Sequence, residues 1–194
     1  MINLELPSSE EKIRGLKIGD EVHIFGTMIT ARDAAHKYLI EEQPDYIRPY
    51  LENSLIYHCG PVVKKSNGAW SFVAAGPTTS IREEPYEGTV IQNYNVRGVI
   101  GKGGMGDKTL AALNEHGAVY LHAIGGLASL LAQSVKEVKD VFMLEEFGVP
   151  EAMWVIEVED FPAVVTMDPH KNSIHTKIKS ESTEQANRLI HPVV

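Results

Sequence analysis

The chain has 194 residues, 43% hydrophobic and 23% charged, the make-up of a globular domain with room for a sizeable core. Its formal net charge of −8 argues against a nucleic-acid partner, which needs a basic face, and no apolar run approaches the ~18 residues of a membrane span. A single cysteine, Cys59, excludes a disulfide within the chain, and also an iron–sulfur cluster held by this chain alone, since such clusters take about three or four thiolates.

The opening "MINLELPSSEEKIRG" is acidic and lacks the apolar stretch of a secretory leader, so a cytoplasmic location is expected. Glu21 to Met28, "EVHIFGTM", predicts a strand. "TARDAAHKYLIEE" follows. Thr30 and Asp33 have the spacing of a capping box, and Ala31, Ala34, Ala35, Tyr38 and Leu39 form a helical apolar stripe. This frame puts Arg32 in the first helical turn, where a cation opposes the helix dipole by ~0.3–1 kcal/mol. Arg32 therefore either faces an anion or is neutralised by Asp33 or another carboxylate. Pro44 and Pro49 end the helix. "SLIYHCG" and "AWSFVAAG" predict strands, the second leading into "GPTTS" and the acidic "REEPYEG". "VRGVIG" is a short strand entering a glycine loop. "DKTLAALNEHG" is a helix with Asp107 as its expected N-cap and Gly117 past its C-terminus. "AVYLHA" predicts a strand, "GGLASLLAQSV" a helix, and "MWVIEVE" and "PAVVTMD" a strand pair around "DFP". Beyond Asp168 the chain turns polar, and "KIKSESTEQANRLI" reads as a loosely docked terminal helix. The irregular alternation predicts a mixed α/β domain over residues 1–175, with a polar tail over 176–194.

The loop "GKGGMG", residues 101–106, matches the glycine spacing of a dinucleotide-binding turn between a strand and a helix. The acidic residue expected about 20 positions on is missing, where the chain reads "YLHAIGG". A phosphate-binding G-K-[ST] junction is absent too, because Asp107 separates the last glycine from Lys108 and Thr109. Two readings remain. Either the loop is a tight turn with a solvent-facing Lys102, or its amides, the helix N-terminus and the Lys102 ammonium make an anion site. "GPTTSIR" adds three hydroxyls, Thr78, Thr79 and Ser80, on a turn stiffened by Pro77, with Arg82 two residues on. Hydroxyls and a guanidinium fork suit a carboxylate; the plain alternative pairs Arg82 with Glu83 or Glu84. Three such segments, each at the end of a strand, predict convergence on one small anion. His58-Cys59 reads as a buried thiol beside a strand end rather than a metal pair, and the histidines lack metal-ligand spacing.

"TARDAAHK" (30–37), "GPTTSIR" (76–82) and "GKGGM" (101–105), in this order, resemble the β subunit of two-subunit iron–sulfur hydro-lyases, the class I fumarate hydratases and L(+)-tartrate dehydratases. "EAMWVIEVEDFPAVVTMD" (151–168) resembles that family's C-terminal strand pair. The resemblance implies a swivelling β/β/α domain with a mixed sheet. It also implies a [4Fe–4S] cluster held by cysteines of a partner α subunit, whose open iron acts on the substrate as a Lewis acid. It places Arg32, Arg82 and Lys102 on substrate carboxylates, Thr79 in a supporting hydrogen bond, and Thr78 as the base that removes the proton. Fumarate hydration is the leading expectation, tartrate dehydration the first alternative and a non-catalytic dicarboxylate-binding module the second. Ile81 and Glu83 depart from the family's pattern around Arg82, and a carboxylate beside Arg82 is expected to compete with a dianionic substrate.

Overall fold

The computed structural model describes residues 1–190. Strands β1 (Ile2–Glu5), β2 (Glu21–Thr30) and β3 (Leu55–Tyr57), with β6 (Gly98–Gly101) and β7 (Val119–His122), pair in parallel, while β9 (Met153–Met167) runs antiparallel to β2, β7 and β8 (Val135–Phe142). The sheet order is β1-β2-β3-β6-β7-β9-β8, and β9 also pairs with β2, so the ladder closes on itself through β2, β3, β6, β7 and β9. β4 (Val62–Ser66) and β5 (Ala69–Ala74) form a separate hairpin around Asn67 and Gly68, both at positive φ as a tight two-residue turn requires. The α/β class and the mixed sheet match expectation.

The period of two along the strands divides the core. Leu55, Tyr57, Ile100, Val119, Leu121, Trp154, Ile156 and Val158 face one apolar cluster, while Ile56, Val99, Tyr120, Met153 and Val155 face the other. Strands buried on both faces read as unbroken apolar runs, which is why "LIY" and "VYL" carry no alternation. The first cluster is covered by α1 (Glu10–Arg14), α6 (Ala128–Ser134) and the hairpin, whose Trp70 meets Trp154 edge-to-face at 5.3 Å. The second is covered by α2 (Asp33–Glu41), α3 (Arg48–Leu51), α4 (Glu87–Tyr94) and α5 (Asp107–His116). The short α7 (Leu144–Phe147) joins β8 to β9.

Two expectations change, and the terminal helix is found as expected. The strand pair around "DFP" is one continuous strand of 15 residues, bent where Asp160 takes φ 56°. β8 was not expected. Its valines fall every third residue because the register shifts between Val135 and Glu137 and again between Val138 and Asp140, which hides the alternation. The terminal helix α8 spans Ile174–Ile190 with no buried residue; the rest of the predicted tail lies outside the described residues. No helix among the described residues is long and apolar enough to cross a membrane.

Candidate active site

Parallel strands deliver their following loops to one end of a sheet, the usual place for a ligand. Here the segment after β5 is stitched into that end. The Thr78 amide donates to the His58 carbonyl (2.6 Å), the Lys102 amide to the Thr78 carbonyl (3.1 Å), and the Ser80 amide to the Lys102 carbonyl (3.0 Å). Pro77 and Thr79 form single ladder bridges to Cys59 and Lys102. Thr78, Thr79 and Lys102 thus sit side by side on backbone that extends β3 and β6, so the fold brings these three together.

The arginines reach the site differently from expectation. Thr30 is the last residue of β2 rather than a helix cap. Its hydroxyl accepts from the Trp154 amide (3.1 Å) and donates to the Ala152 carbonyl (3.4 Å), which ties β2 to β9. The helix starts at Asp33, so Arg32 occupies the N-cap position in extended conformation and not the first turn. Its guanidinium lies 3.3 Å from Glu151 and against Gly60, where a Cβ would overlap it, while its Nε is buried without a partner. Glu151 also accepts from the Ala34 amide (3.1 Å), supplying the cap that Thr30 does not. Arg82, on the 3-10 turn Ser80–Glu83, pairs with Asp33 and leaves half its side chain exposed. Neither Glu83 nor Glu84 is its partner. The Asp33–Arg82 pair joins the segment after β2 to the segment after β5, and Arg32 directly precedes Asp33 in the chain.

The glycine loop is also corrected. Asp107 is the first residue of α5, and Gly106 stands at the cap. Glu84 fills the helix N-terminus from outside. Its carboxylate accepts from the amides of Gly106 (2.7 Å), Lys108 (3.0 Å) and Thr109 (3.2 Å) and from the Thr109 hydroxyl (2.6 Å). An internal carboxylate therefore occupies the donors that a phosphate or other external anion would use, which removes the physical basis of the dinucleotide reading. Lys102, not the helix terminus, is the cation this loop offers.

Beneath these loops lies a layer of polar groups that the sequence did not single out as a site. His36 of α2, His58 after β3, Glu83, Glu87 of α4 and Ser80 are all fully buried. One Glu87 oxygen lies 3.1 Å from His36 Nε2 and 2.9 Å from His58 Nε2, and Glu83 lies 3.7 Å from His36 Nδ1. His36 Nδ1 donates to the Arg32 carbonyl (2.9 Å). His58 Nδ1 meets the Ser80 hydroxyl (2.9 Å), which accepts from Tyr120 (2.9 Å), whose oxygen accepts from the Gly104 amide (3.3 Å). Burial alone would push the His36 imidazole down; Glu87 and Glu83 outweigh it and hold it up at about 9. Burial would raise Glu87, but the two histidines pull it to about 2. His58 is lowered by burial, which the attraction of Glu87 only partly offsets, and Glu83 is raised by burial against the pull of His36. The ligand-type atoms of His36, His58 and Glu87 lie within 4.8 Å of one another. Both imidazole nitrogens lie within ion-pair range of one shared Glu87 oxygen but off the angle of a hydrogen bond, so the contacts are chiefly electrostatic. The only sequence cue was His58-Cys59. The reading of a buried thiol holds for Cys59, and its histidine neighbour belongs to this network.

The residues of this chain do not fit an iron–sulfur cluster. Cys59 is the one thiol, it is buried, and burial pushes it up to about 12, away from the thiolate a cluster needs. A mostly apolar cavity of about 210 Å³, lined among others by His122, Ile124, Leu127 and Leu131, contains none of the predicted site residues.

Residues 1–178 match the family described as Fumarase C-terminus. The chain is 53% identical over 195 residues to a Geobacillus stearothermophilus protein provisionally named class I fumarate hydratase, covering the whole of this chain but 37% of that protein's length. It is 43% identical over 185 residues to a Methanocaldococcus jannaschii protein provisionally named L(+)-tartrate dehydratase subunit beta, covering 94% of this chain and 95% of that one. It is 34% identical over 192 residues to the L(+)-tartrate dehydratase subunit beta of Escherichia coli K12, covering 98% and 94%. With three ordered motifs stitched into one end of the sheet and a family match that runs through nearly all of it, the chain belongs to the Fumarase C-terminus family.

Proposed function

We propose that the chain is the β subunit of a hydro-lyase that interconverts an unsaturated dicarboxylate and its hydroxy acid, with fumarate and L-malate as the leading pair. The supporting observation is the stitching of Thr78, Thr79 and Lys102 into one ladder, beside an Arg82 that is tied to the segment carrying Arg32. In this reading Arg32, Arg82 and Lys102 take the substrate carboxylates. Glu151 and Asp33 hold the two guanidiniums in place without exhausting their five donors each, so an edge of each fork stays open for a dianion. Thr79 adds a hydrogen bond. Thr78 accepts the proton from the carbon next to the departing hydroxyl. Among the described residues no carboxylate or imidazole hydrogen-bonds the Thr78 hydroxyl, so the group that makes it basic belongs to a partner in this scheme. The partner would likewise hold the [4Fe–4S] cluster, for which this chain has no thiolate set.

A second reading, the β subunit of an L(+)-tartrate dehydratase, is favoured by architecture, because the chain spans 95% and 94% of two relatives so named. The buried position of Glu83 bears on both readings. It faces His36 instead of the ligand, so it does not compete with a dianion for Arg82.

Anaerobic kinetics of the chain assembled with its cysteine-bearing partner test the assignment, with fumarate and L(+)-tartrate as alternative substrates. Thr78→Ala is expected to lower kcat ~10²–10⁴-fold with little change in KM, whereas Lys102→Ala raises KM about ten-fold or more. No nicotinamide should be consumed. Near-normal kcat in Thr78→Ala would move the base to the partner and reduce this chain to a carboxylate holder.

A further inference from the structure

We propose that His36, Glu87 and His58 are positioning residues, a buried charged relay that holds the ligand-facing loops in register for a small dicarboxylate. The proposal rests on the functional reading above and adds a role for residues that touch no ligand.

The argument starts from expense. Taking a carboxylate and an imidazolium out of water disfavours folding unless geometry compensates, and an apolar trio of equal volume often serves stability as well or better. A fully buried His36–Glu87–His58 set, with a second buried carboxyl at Glu83, is therefore a poor way to fill a core. What it does provide is direction. Both ring nitrogens of His36 face acceptors, Glu87 on one side and the Arg32 carbonyl with Glu83 on the other, so the ring is an imidazolium that clamps the backbone of Arg32. His58 turns Nε2 toward Glu87, which leaves Nδ1 to accept from the Ser80 hydroxyl. Tyr120 donates to that same hydroxyl and takes the Gly104 amide on its own oxygen. The Ser80 amide in turn holds the Lys102 carbonyl.

The relay thus ends on three separate backbones: the turn carrying Arg32, the turn carrying Thr78 to Arg82, and the glycine loop carrying Lys102. Glycine geometry shows how closely these meet. A Cβ on Gly101 would overlap the Ser80 hydroxyl, and it would lie 3.3 Å from His58 Nδ1. The charges facing His36 are Glu87 from α4, Glu83 from the 3-10 turn and His58 from the end of β3, with Arg82 and Glu151 acting on Glu83 from the surface. The nitrogens meet the Glu87 oxygen off the ideal line, so the attraction is chiefly between charges, which makes the Glu87 carboxylate the element to remove.

The first measurement needs no variant. Nitrogen-15 NMR of the full chain at pH 7 should show both His36 ring nitrogens protonated, and His58 neutral with its proton on Nε2. In Glu87→Gln, which keeps the shape and removes the charge, amide hydrogen exchange at Ser80, Lys102 and Gly104 should accelerate about ten-fold or more, while Val155 and Ile156 in the sheet centre stay slow. In the assembled enzyme, the Glu87→Gln loss should fall on KM for the active substrate, fumarate or L(+)-tartrate, more than on kcat. A neutral His36 in the unmodified chain overturns the proposal, as does a Glu87→Gln variant with unchanged exchange at those amides, or one stoichiometric metal ion in the purified protein. Arg32→Ala and Lys102→Ala are the separating controls. If they leave KM unchanged, the dicarboxylate reading fails, while the ring protonation and exchange measurements still decide the relay.

Discussion

Glu84 is expected to be worth more to this protein than its partly exposed position implies. Its carboxylate accepts from three amides and one hydroxyl at the start of α5, at 2.6–3.2 Å. Loss of an N-cap costs up to ~2 kcal/mol, and loss of a carboxylate at a helix N-terminus a further ~0.3–1 kcal/mol. Water reaches part of the site and would replace some of the lost bonds, so the contacts are not additive. Glu84→Ala should therefore destabilise by ~2–3 kcal/mol, which for a chain of this size lowers Tm by roughly 4–12 °C. Glu84→Gln keeps one acceptor oxygen and should lose about half as much. Urea unfolding followed by circular dichroism measures the difference at constant m-value. The same substitution loosens the loop behind Lys102, so KM should rise in the assembled enzyme. A Glu84→Ala variant within ~0.5 kcal/mol of the parent, the range of ordinary surface changes, would refute the capping argument.

Gly60→Ala places a methyl where the Arg32 guanidinium lies and 2.9 Å from the Pro150 carbonyl, so KM should rise toward that of Arg32→Ala while secondary structure by circular dichroism is kept. The buried cluster predicts a pH profile. His36 is held up at about 9, so its contribution is complete below the ordinary 6.5 and lost as pH rises through 9. His58 is lowered, so its contribution is present above 6.5 and lost as pH falls through its folded value; Glu87, at about 2, adds a loss that runs from 4.5 down through 2. The contributions of His36, His58 and Glu87 together should peak near pH 6.5, with Glu83, which burial raises, adding a loss as pH rises above 4.5, and His36→Gln should abolish the alkaline decline in a Tm-against-pH series. Deleting residues 178–194 should leave Tm within about 2 °C, because α8 buries nothing, while His175, which bonds Thr166 at 2.9 Å, is kept.

What was legible in the sequence was whatever carries its signal locally. Arg32, Thr78, Thr79, Arg82 and Lys102 lie in short ordered motifs at strand ends, and strand ends are marked by apolar runs that stop at glycine or proline. Gly117 could be read as a helix terminus because positive φ there favours glycine, and it takes φ 65°. The Asn67-Gly68 pair of the β4–β5 hairpin carries an equally local signal. What was not legible depends on partners distant in the chain. Local spacing points to Thr30 and Asp107 as caps, each the nearest residue of the right type. In the fold, Glu151 and Glu84 reach in from 117 and 22 or more residues away and do the capping instead. Local spacing identifies that a helix end needs an acceptor; it does not identify which acceptor arrives.

Glu83 shows the same limit at the site itself. In the linear sequence it adjoins Arg82 and looks like a rival for a dianionic substrate. The 3-10 turn at Ser80–Glu83 rotates successive side chains by about a third of a circle, so neighbours on it point to different environments. Arg82 goes out to Asp33 and solvent, and Glu83 goes in to His36. That division keeps Glu83 away from the exposed guanidinium of Arg82. A buried carboxyl beside His36 adds negative charge under the ligand loops, and His36 holds its proton because of it and Glu87 together. Glu83→Met should therefore lower the pKa of His36 while leaving Arg82 on Asp33, and a nitrogen-15 titration of the His36 ring resolves the two. An unchanged His36 titration would mean that Glu87 alone sets its charge, and that Glu83 has no electrostatic reach into the relay.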